Sequence, residues 1–220
     1  MEEIWKMQRT LNEFCFAKRA IGDYDRAIRD GGAVWLPNFC RAMLHELAEY
    51  CEWMDASERR SENETEARNK RADAAVEAID ILHFLASAGH CADFDGIGAT
   101  IAAVEAFSSP CRPWRVVSME FFKTTCRLED RAHWKWWSDR EIELDVVGAR
   151  PILRELVGLW VELALEAGIK TMSMAEQLYR AKNAVNRKRQ VEGYSEDTKT
   201  EEDNTTISKR IVQYLEGPHD

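Results

Sequence analysis

The chain has 220 residues, 45% of them apolar and 31% charged, and 30 Lys+Arg against 39 Asp+Glu leave a formal charge of −9. That balance excludes a wholly disordered or collagen-like chain, and the acidity speaks against broad binding to nucleic acid or anionic membranes. No apolar run approaches the roughly 18 residues of a membrane-spanning helix, and the acidic opening Met1-Glu2-Glu3 is unlike a secretion signal. A cytoplasmic protein is expected, with one domain over 1–194 and an acidic tail over 195–220. Six cysteines (Cys15, Cys40, Cys51, Cys91, Cys111, Cys126) show no C-x-x-C spacing, so they read as reduced, mostly buried thiols.

Breaks at Gly31-Gly32, Gly89, Asp95-Gly96-Ile97-Gly98, Pro110-Cys111-Arg112-Pro113, Gly148, Gly168 and Gly193 separate segments whose apolar spacing is helical. Helices are predicted over 3–20, 37–56, 68–88, 99–107, 114–127, 151–167 and 172–191, and no stretch alternates cleanly enough for a strand. The fold expected is all-α, a bundle of long helices with shorter ones inserted. Residues 55–70 are almost wholly polar and read as a solvated connection. The charged segment 129–148 holds His133-Trp134-Lys135-Trp136-Trp137, which reads as a packed loop or interface. The tail from Ser195 reads as a mobile arm or a wrap around a partner subunit.

Glu46 and Glu49 lie three apart on the second predicted helix, and Glu77 and Asp80 three apart on the third. With 39 acids in 220 residues such pairs arise often by chance, so their position on the helix decides. At 100° per residue, Phe39, Met43, Leu47, Tyr50 and Met54 form an apolar arc. Glu46 stands at its margin, Glu49 farther out, and Glu52 and Asp55 on the solvent side. Glu77 falls inside the stripe of Ile81, Phe84, Leu85 and Ala88, with Asp80 beside it. A buried carboxylate must be paired or coordinate a cation. If the two helices are antiparallel neighbours, E-x-x-E faces E-x-x-D, a carboxylate set suited to hard divalent ions, Mg²⁺ first. The plain alternative is a set of salt-bridged surface acids. A di-iron bundle wants Glu-x-x-His on each of two helices, a pattern Glu77 and Asp80 depart from.

Residues 179–190 carry Arg180, Lys182, Arg187, Lys188 and Arg189 and no acid. Lys182, Asn186 and Arg189 recur at i, i+4 and i+7, a stripe of donors with Tyr179 above it that suits a polyphosphate. Carboxylates for a divalent ion on one side and such a stripe on the other describe a nucleoside triphosphate site.

Three strings, Glu46-Leu47-Ala48-Glu49, Glu77-Ala78-Ile79-Asp80-Ile81-Leu82-His83-Phe84 and Lys182-Asn183-Ala184-Val185-Asn186 running on through Arg189-Gln190 to Gly193-Tyr194, together resemble the dimeric dUTPases. That family belongs to the all-α nucleoside triphosphate pyrophosphohydrolases, which include the MazG-like proteins. The resemblance runs from about residue 4 to 194 with 89–150 unaligned, and Gln8-Arg9-Thr10-Leu11-Asn12 resembles the family's glutamine/asparagine segment more loosely. It implies Glu46, Glu49, Glu77 and Asp80 as Mg²⁺ ligands, and Lys182, Asn183, Asn186, Arg189 and Tyr194 at the phosphates and sugar. Gln8, Asn12 and Trp35 are the implied base pocket. The implied reaction cleaves dUTP between the α- and β-phosphates to dUMP and pyrophosphate, many members also taking dUDP, and the implied assembly is a homodimer. Glu49, farthest from the apolar arc, is the candidate general base. The family's tryptophan/lysine string soon after the first E-x-x-E is missing; only Glu52-Trp53-Met54 follows, and Lys70 or Arg71 is the candidate substitute for its lysine. The alternatives are a sister enzyme for another nucleotide such as dCTP, and a non-catalytic helical interaction protein.

Overall fold

A computed structural model describes residues 1–60, 62–108, 112–133, 135, 137, 139, 143–192, 208, 209 and 211–213. Helices α1 (Glu2–Lys18), α2 (Tyr24–Arg59), α3 (Glu64–Cys91), α4 (Gly96–Phe107), α5 (Trp114–Glu129), α6 (Val146–Glu166) and α7 (Met172–Glu192) follow in order, with one short 3₁₀ turn, Asp130–Ala132, after α5. No strand occurs among the described residues, and the fold is an all-α bundle.

The long hairpin of α2 and α3 is the frame. From Ala72 to Cys91 only Asp73, Asp80, Phe84 and His90 escape burial, because α1, α2, α6 and α7 all pack around α3. Small residues permit this crowding: Ala72, Ala74, Ala75, Ala78, Ala86 and Ala88 are fully buried. Gly89 is needed for close approach, since a Cβ there would sit 2.9 Å from the Trp5 indole nitrogen. That indole donates to the Phe94 carbonyl at 2.9 Å and so pins α1 across the end of α3. On the opposite side Trp160 of α6 is fully buried and donates to the Ala78 carbonyl at 2.7 Å. Tyr50 of α2 likewise donates to Leu163 at 2.9 Å. These directional bonds set α6 against the hairpin beyond what apolar burial alone specifies.

Three boundaries differ from expectation. Helix α2 begins at Tyr24, capped by the Asp23 side chain, which accepts from the Arg26 amide at 2.9 Å, and it runs through the predicted break at Gly31-Gly32. Gly31 marks a kink (φ −123°, ψ 15°), and Pro37 leaves one ladder bond unmade. Gly32 is a packing glycine: a Cβ would lie 3.2 Å from Leu144 and 3.5 Å from the Cys91 carbonyl. The polar stretch 55–70 is mostly helix as well. Helix α2 runs to Arg59 and α3 starts at Glu64, where Asn63 caps it through the Glu66 amide at 3.2 Å. Its polarity is that of two exposed helix ends. Helix α6 starts at Val146 rather than 151, because Asp145 caps it through the Gly148 amide at 2.8 Å.

The segment 89–150, left unaligned in the sequence, forms α4 and α5, both packed on α6. Trp134 and Trp136 lie outside the described residues, while Trp137 is exposed. Of the tail, Ser208 donates to Asp73 at 3.0 Å and Ile211 is buried within its own chain. Cys40 and Cys91 are buried, and Cys15, Cys51 and Cys126 are half-buried free thiols. No helix among the described residues is long and apolar enough to cross a membrane.

Candidate functional site

Glu46, Glu77 and Asp80 each offer an oxygen, and these oxygens lie within 4.8 Å of one another. The α2–α3 hairpin brings them together. Glu46 faces α3 from the margin of the α2 core stripe, and Glu77 and Asp80 sit one turn apart on the most enclosed helix. Glu77 is buried and Glu46 and Asp80 are half-buried. Glu49 is exposed, outside that group of oxygens and without a hydrogen bond or ion pair among the described residues. It is nonetheless near enough for its charge to act on Glu46 and Glu77.

Like charges this close cannot all persist in a low-dielectric setting. Two devices relieve them. The Lys182 ammonium on α7, almost fully buried, meets Asp80 at 2.6 Å. Protonation of Glu46 and Glu77, favoured by their burial and by the neighbouring charges, lowers what remains. Burial, then the Asp80 charge, push Glu46 up to about 7 and Glu77 up to about 9. The cation arrives from a helix more than a hundred positions away in the chain.

Beside the carboxylates opens a cavity of about 300 Å³. Glu46, Asp80, His83 and Phe84 line one side, Lys182, Asn186, Arg189 and Gln190 another, and Gln8 and Asn12 the floor. Most of the expected site residues therefore share one enclosure. Helix α7 is laid on α1 by Tyr179, which donates to Gln8 Oε1 at 2.6 Å, and by Lys18, which donates to the Val191 carbonyl at 3.1 Å. Gln8 and Asn12 are one helical turn apart and joined at 2.8 Å.

Glu49 and Glu77 are not among the lining residues, and two further expected residues, Trp35 and Asn183, stand elsewhere. Trp35 packs in an aromatic cluster against Phe16 and Phe39, with ring centroids 4.8 and 6.3 Å away, and does not line the cavity. Asn183 lies beside the Tyr179 hydroxyl and is not among the lining residues. Tyr194 lies outside the described residues. Lys70 stacks over Trp53 at 4.4 Å and pairs with Asp73 at 3.5 Å, two turns before Glu77. Sequence reasoning missed Ser87, which joins Gln8 and Asn12, and the structural use of His83, whose ring stacks on Tyr179 at 4.1 Å. Ser87 lies seven residues after Asp80, so the helical spacing that singled out the acids also points to it.

A larger cavity of about 890 Å³, lined by Trp5, Tyr24, Ile28, His90, Phe94 and others, holds none of the clustered carboxylates. The smaller one holds Glu46, Asp80 and the buried Lys182 paired with Asp80, and size alone does not make a site.

Stability should report the cluster directly. A carboxyl raised in the folded state binds more protons folded than unfolded, so its contribution is full below the unfolded value near 4.5 and is lost as pH rises through the folded value. His83 and His90 act oppositely: burial lowers each to about 4, so the fold gains stability as pH rises from there toward 6.5. In chelator the melting temperature is expected to peak near about pH 6 and fall steadily toward pH 9. Millimolar Mg²⁺ should recover that fall above about pH 7 by taking the place of the protons. Thermal melts across this range check it, and a flat profile above the peak, with or without Mg²⁺, contradicts it.

Compared with known proteins, the chain matches no family model, no curated protein and no solved structure.

Proposed function

We propose that the protein is a Mg²⁺-dependent nucleoside triphosphate pyrophosphohydrolase acting on dUTP, and on dUDP, as its resemblance to the dimeric dUTPases implies. The observation carrying this reading is the single cavity with Glu46 and Asp80 on one wall and Lys182, Asn186 and Arg189 on another. Carboxylate oxygens alone, three of them mutually within 4.8 Å, fit a hard divalent ion, whose charge would relieve the repulsion that raises Glu46 and Glu77 without it. Glu46, Glu77 and Asp80 would hold Mg²⁺, which supplies charge neutralisation at the α-phosphate and acidifies the attacking water.

The chain's own groups divide the remaining work. Arg189 and Asn186 face the cavity and orient the phosphates, with the positive charge of Arg189 set against pyrophosphate as it leaves. Lys182 acts mainly through Asp80, holding that carboxylate in one orientation. Glu49, exposed and uncommitted, takes the proton from the water whose oxygen attacks the α-phosphorus. The α–β phosphoanhydride bond breaks, dUMP keeps the new oxygen, and pyrophosphate departs. The homodimer stays with this proposal, since it too comes from the resemblance.

The test is pyrophosphate release from dUTP, dCTP, dTTP and UTP, each with and without Mg²⁺. Release that requires Mg²⁺ and favours a deoxynucleotide is the expected result. No Mg²⁺-dependent release from any of the four, with no thermal shift on nucleotide addition, overturns the reading in favour of a non-catalytic helical protein.

A further inference from the structure

The floor of the 300 Å³ cavity has a hydrogen-bond polarity that can be worked out proton by proton. A backbone carbonyl can only accept. Ser87 Oγ lies 2.9 Å from the His83 carbonyl, so its one proton is committed there. Its lone pairs then receive Gln8 Nε2 and Asn12 Nδ2, each at 3.0 Å, which fixes both amides with their NH₂ groups toward Ser87. The second Gln8 proton goes to Asn12 Oδ1 at 2.8 Å. The second Asn12 proton goes to the Tyr24 hydroxyl oxygen at 3.1 Å, and Tyr24 donates onward to His90 Nδ1 at 2.9 Å. His90 can accept there because its own proton is used on the Trp5 carbonyl. Every amide proton of Gln8 and Asn12 is spent inside the protein.

The same rule fixes His83. Its Nδ1 lies 2.9 Å from the Ile79 carbonyl and must carry the proton, leaving a bare lone pair on Nε2. That nitrogen is buried without a hydrogen-bond partner among the described residues, and the residue as a whole is 3% exposed. The ring cannot easily turn to satisfy it, being stacked on Tyr179 at 4.1 Å and 15°. An unpartnered buried acceptor is costly unless something that enters the cavity supplies a donor.

We infer that His83 Nε2 accepts a hydrogen bond from an N–H of the substrate base, making His83 a specificity-determining residue and the cavity floor a reader of donors. This rests on the nucleotide reading above. The chemistry required is an N–H on the pyrimidine edge, supplied either by ring N3–H of uracil or by the exocyclic amino group of cytosine. A base that turns a carbonyl or an N-alkyl group to this floor meets only lone pairs at Nε2, Gln8 Oε1 and Asn12 Oδ1.

The test compares kcat/KM for dUTP, N3-methyl-dUTP, dCTP and N4,N4-dimethyl-dCTP in the wild type, His83→Phe and His83→Gln. Phenylalanine keeps the stack on Tyr179 and removes the acceptor; glutamine keeps an acceptor oxygen at about the same reach. Methylation is expected to cost the wild type about 100-fold on the nucleotide that supplies the donor, which identifies the source. In His83→Phe that ratio should shrink to about threefold because the parent nucleotide loses its advantage, and His83→Gln should retain most of it. Methylated and parent nucleotides turned over equally by the wild type overturn the inference while leaving the hydrolase reading intact. An undiminished ratio in a folded His83→Phe does the same. Failure of every nucleotide to be hydrolysed or bound overturns both.

Discussion

Glu77→Gln is expected to reduce Mg²⁺-dependent dUTP turnover by at least about 100-fold while raising the melting temperature of the metal-free protein. The two effects come from one carboxyl. Glu77 is 6% exposed, raised by burial and by Asp80, and bonded to Glu46, so ionising it costs the fold free energy at every pH where it loses its proton. Glutamine keeps a donor for Glu46 and cannot ionise, so the apo fold gains most in alkaline buffer, where the wild type loses most. It also removes one of the three negative charges that would hold the cation. The Mg²⁺-induced thermal shift should shrink together with turnover. Asp80→Asn should lose turnover comparably. Near-wild-type turnover in both variants, with helical circular dichroism intact, would sink the assignment of the cluster.

Lys182→Met is expected to destabilise the metal-free protein by about 3–5 kcal/mol, a melting temperature lower by about 10 °C, because it strips a buried carboxylate of its counter-charge. The ammonium is 3% exposed and 2.6 Å from Asp80, so its removal leaves Asp80 beside Glu46 and Glu77 with nothing to offset it. Mg²⁺ should restore much of the loss. Lys182→Met combined with Asp80→Asn should be more stable than the single lysine variant, since both members of the pair are then gone. Chemical denaturation with and without Mg²⁺ measures this. If Lys182 served only to hold phosphates, as the resemblance implies, the methionine variant would weaken nucleotide binding and leave metal-free stability unchanged.

Helix content was legible because the apolar spacing of most segments is helical, and every predicted helix has a counterpart. The boundaries were less so, for reasons that can be named. Gly31-Gly32 read as a stop because glycine lowers helix propensity. At Gly32, contact with Leu144 and the end of α3 outweighs that propensity, and contacts at long sequence separation are invisible to a local reading. The break read at Gly148 put the predicted start of α6 after it, whereas the Asp145 cap places the start earlier.

Helical phase alone separated Glu46 and Glu77 from the many other acids, since burial on a helix follows from the residues three and four away. It also set Glu49 apart from the core. What phase could not supply was the occupant of the space between. Lys182 was expected to face phosphates, yet its ammonium lies on Asp80, and Ser87 and His83 acquired their roles only when α1 and α7 closed over α3. By itself, then, the order of residues determined an all-α chain with Glu46, Glu77 and Asp80 turned toward the core and a donor stripe, because each is a property of one helix. Tertiary structure decided which lysine neutralises which acid, which amide protons remain, and which nitrogen is left wanting a donor. Those depend on groups more than seventy positions apart being brought within hydrogen-bonding distance.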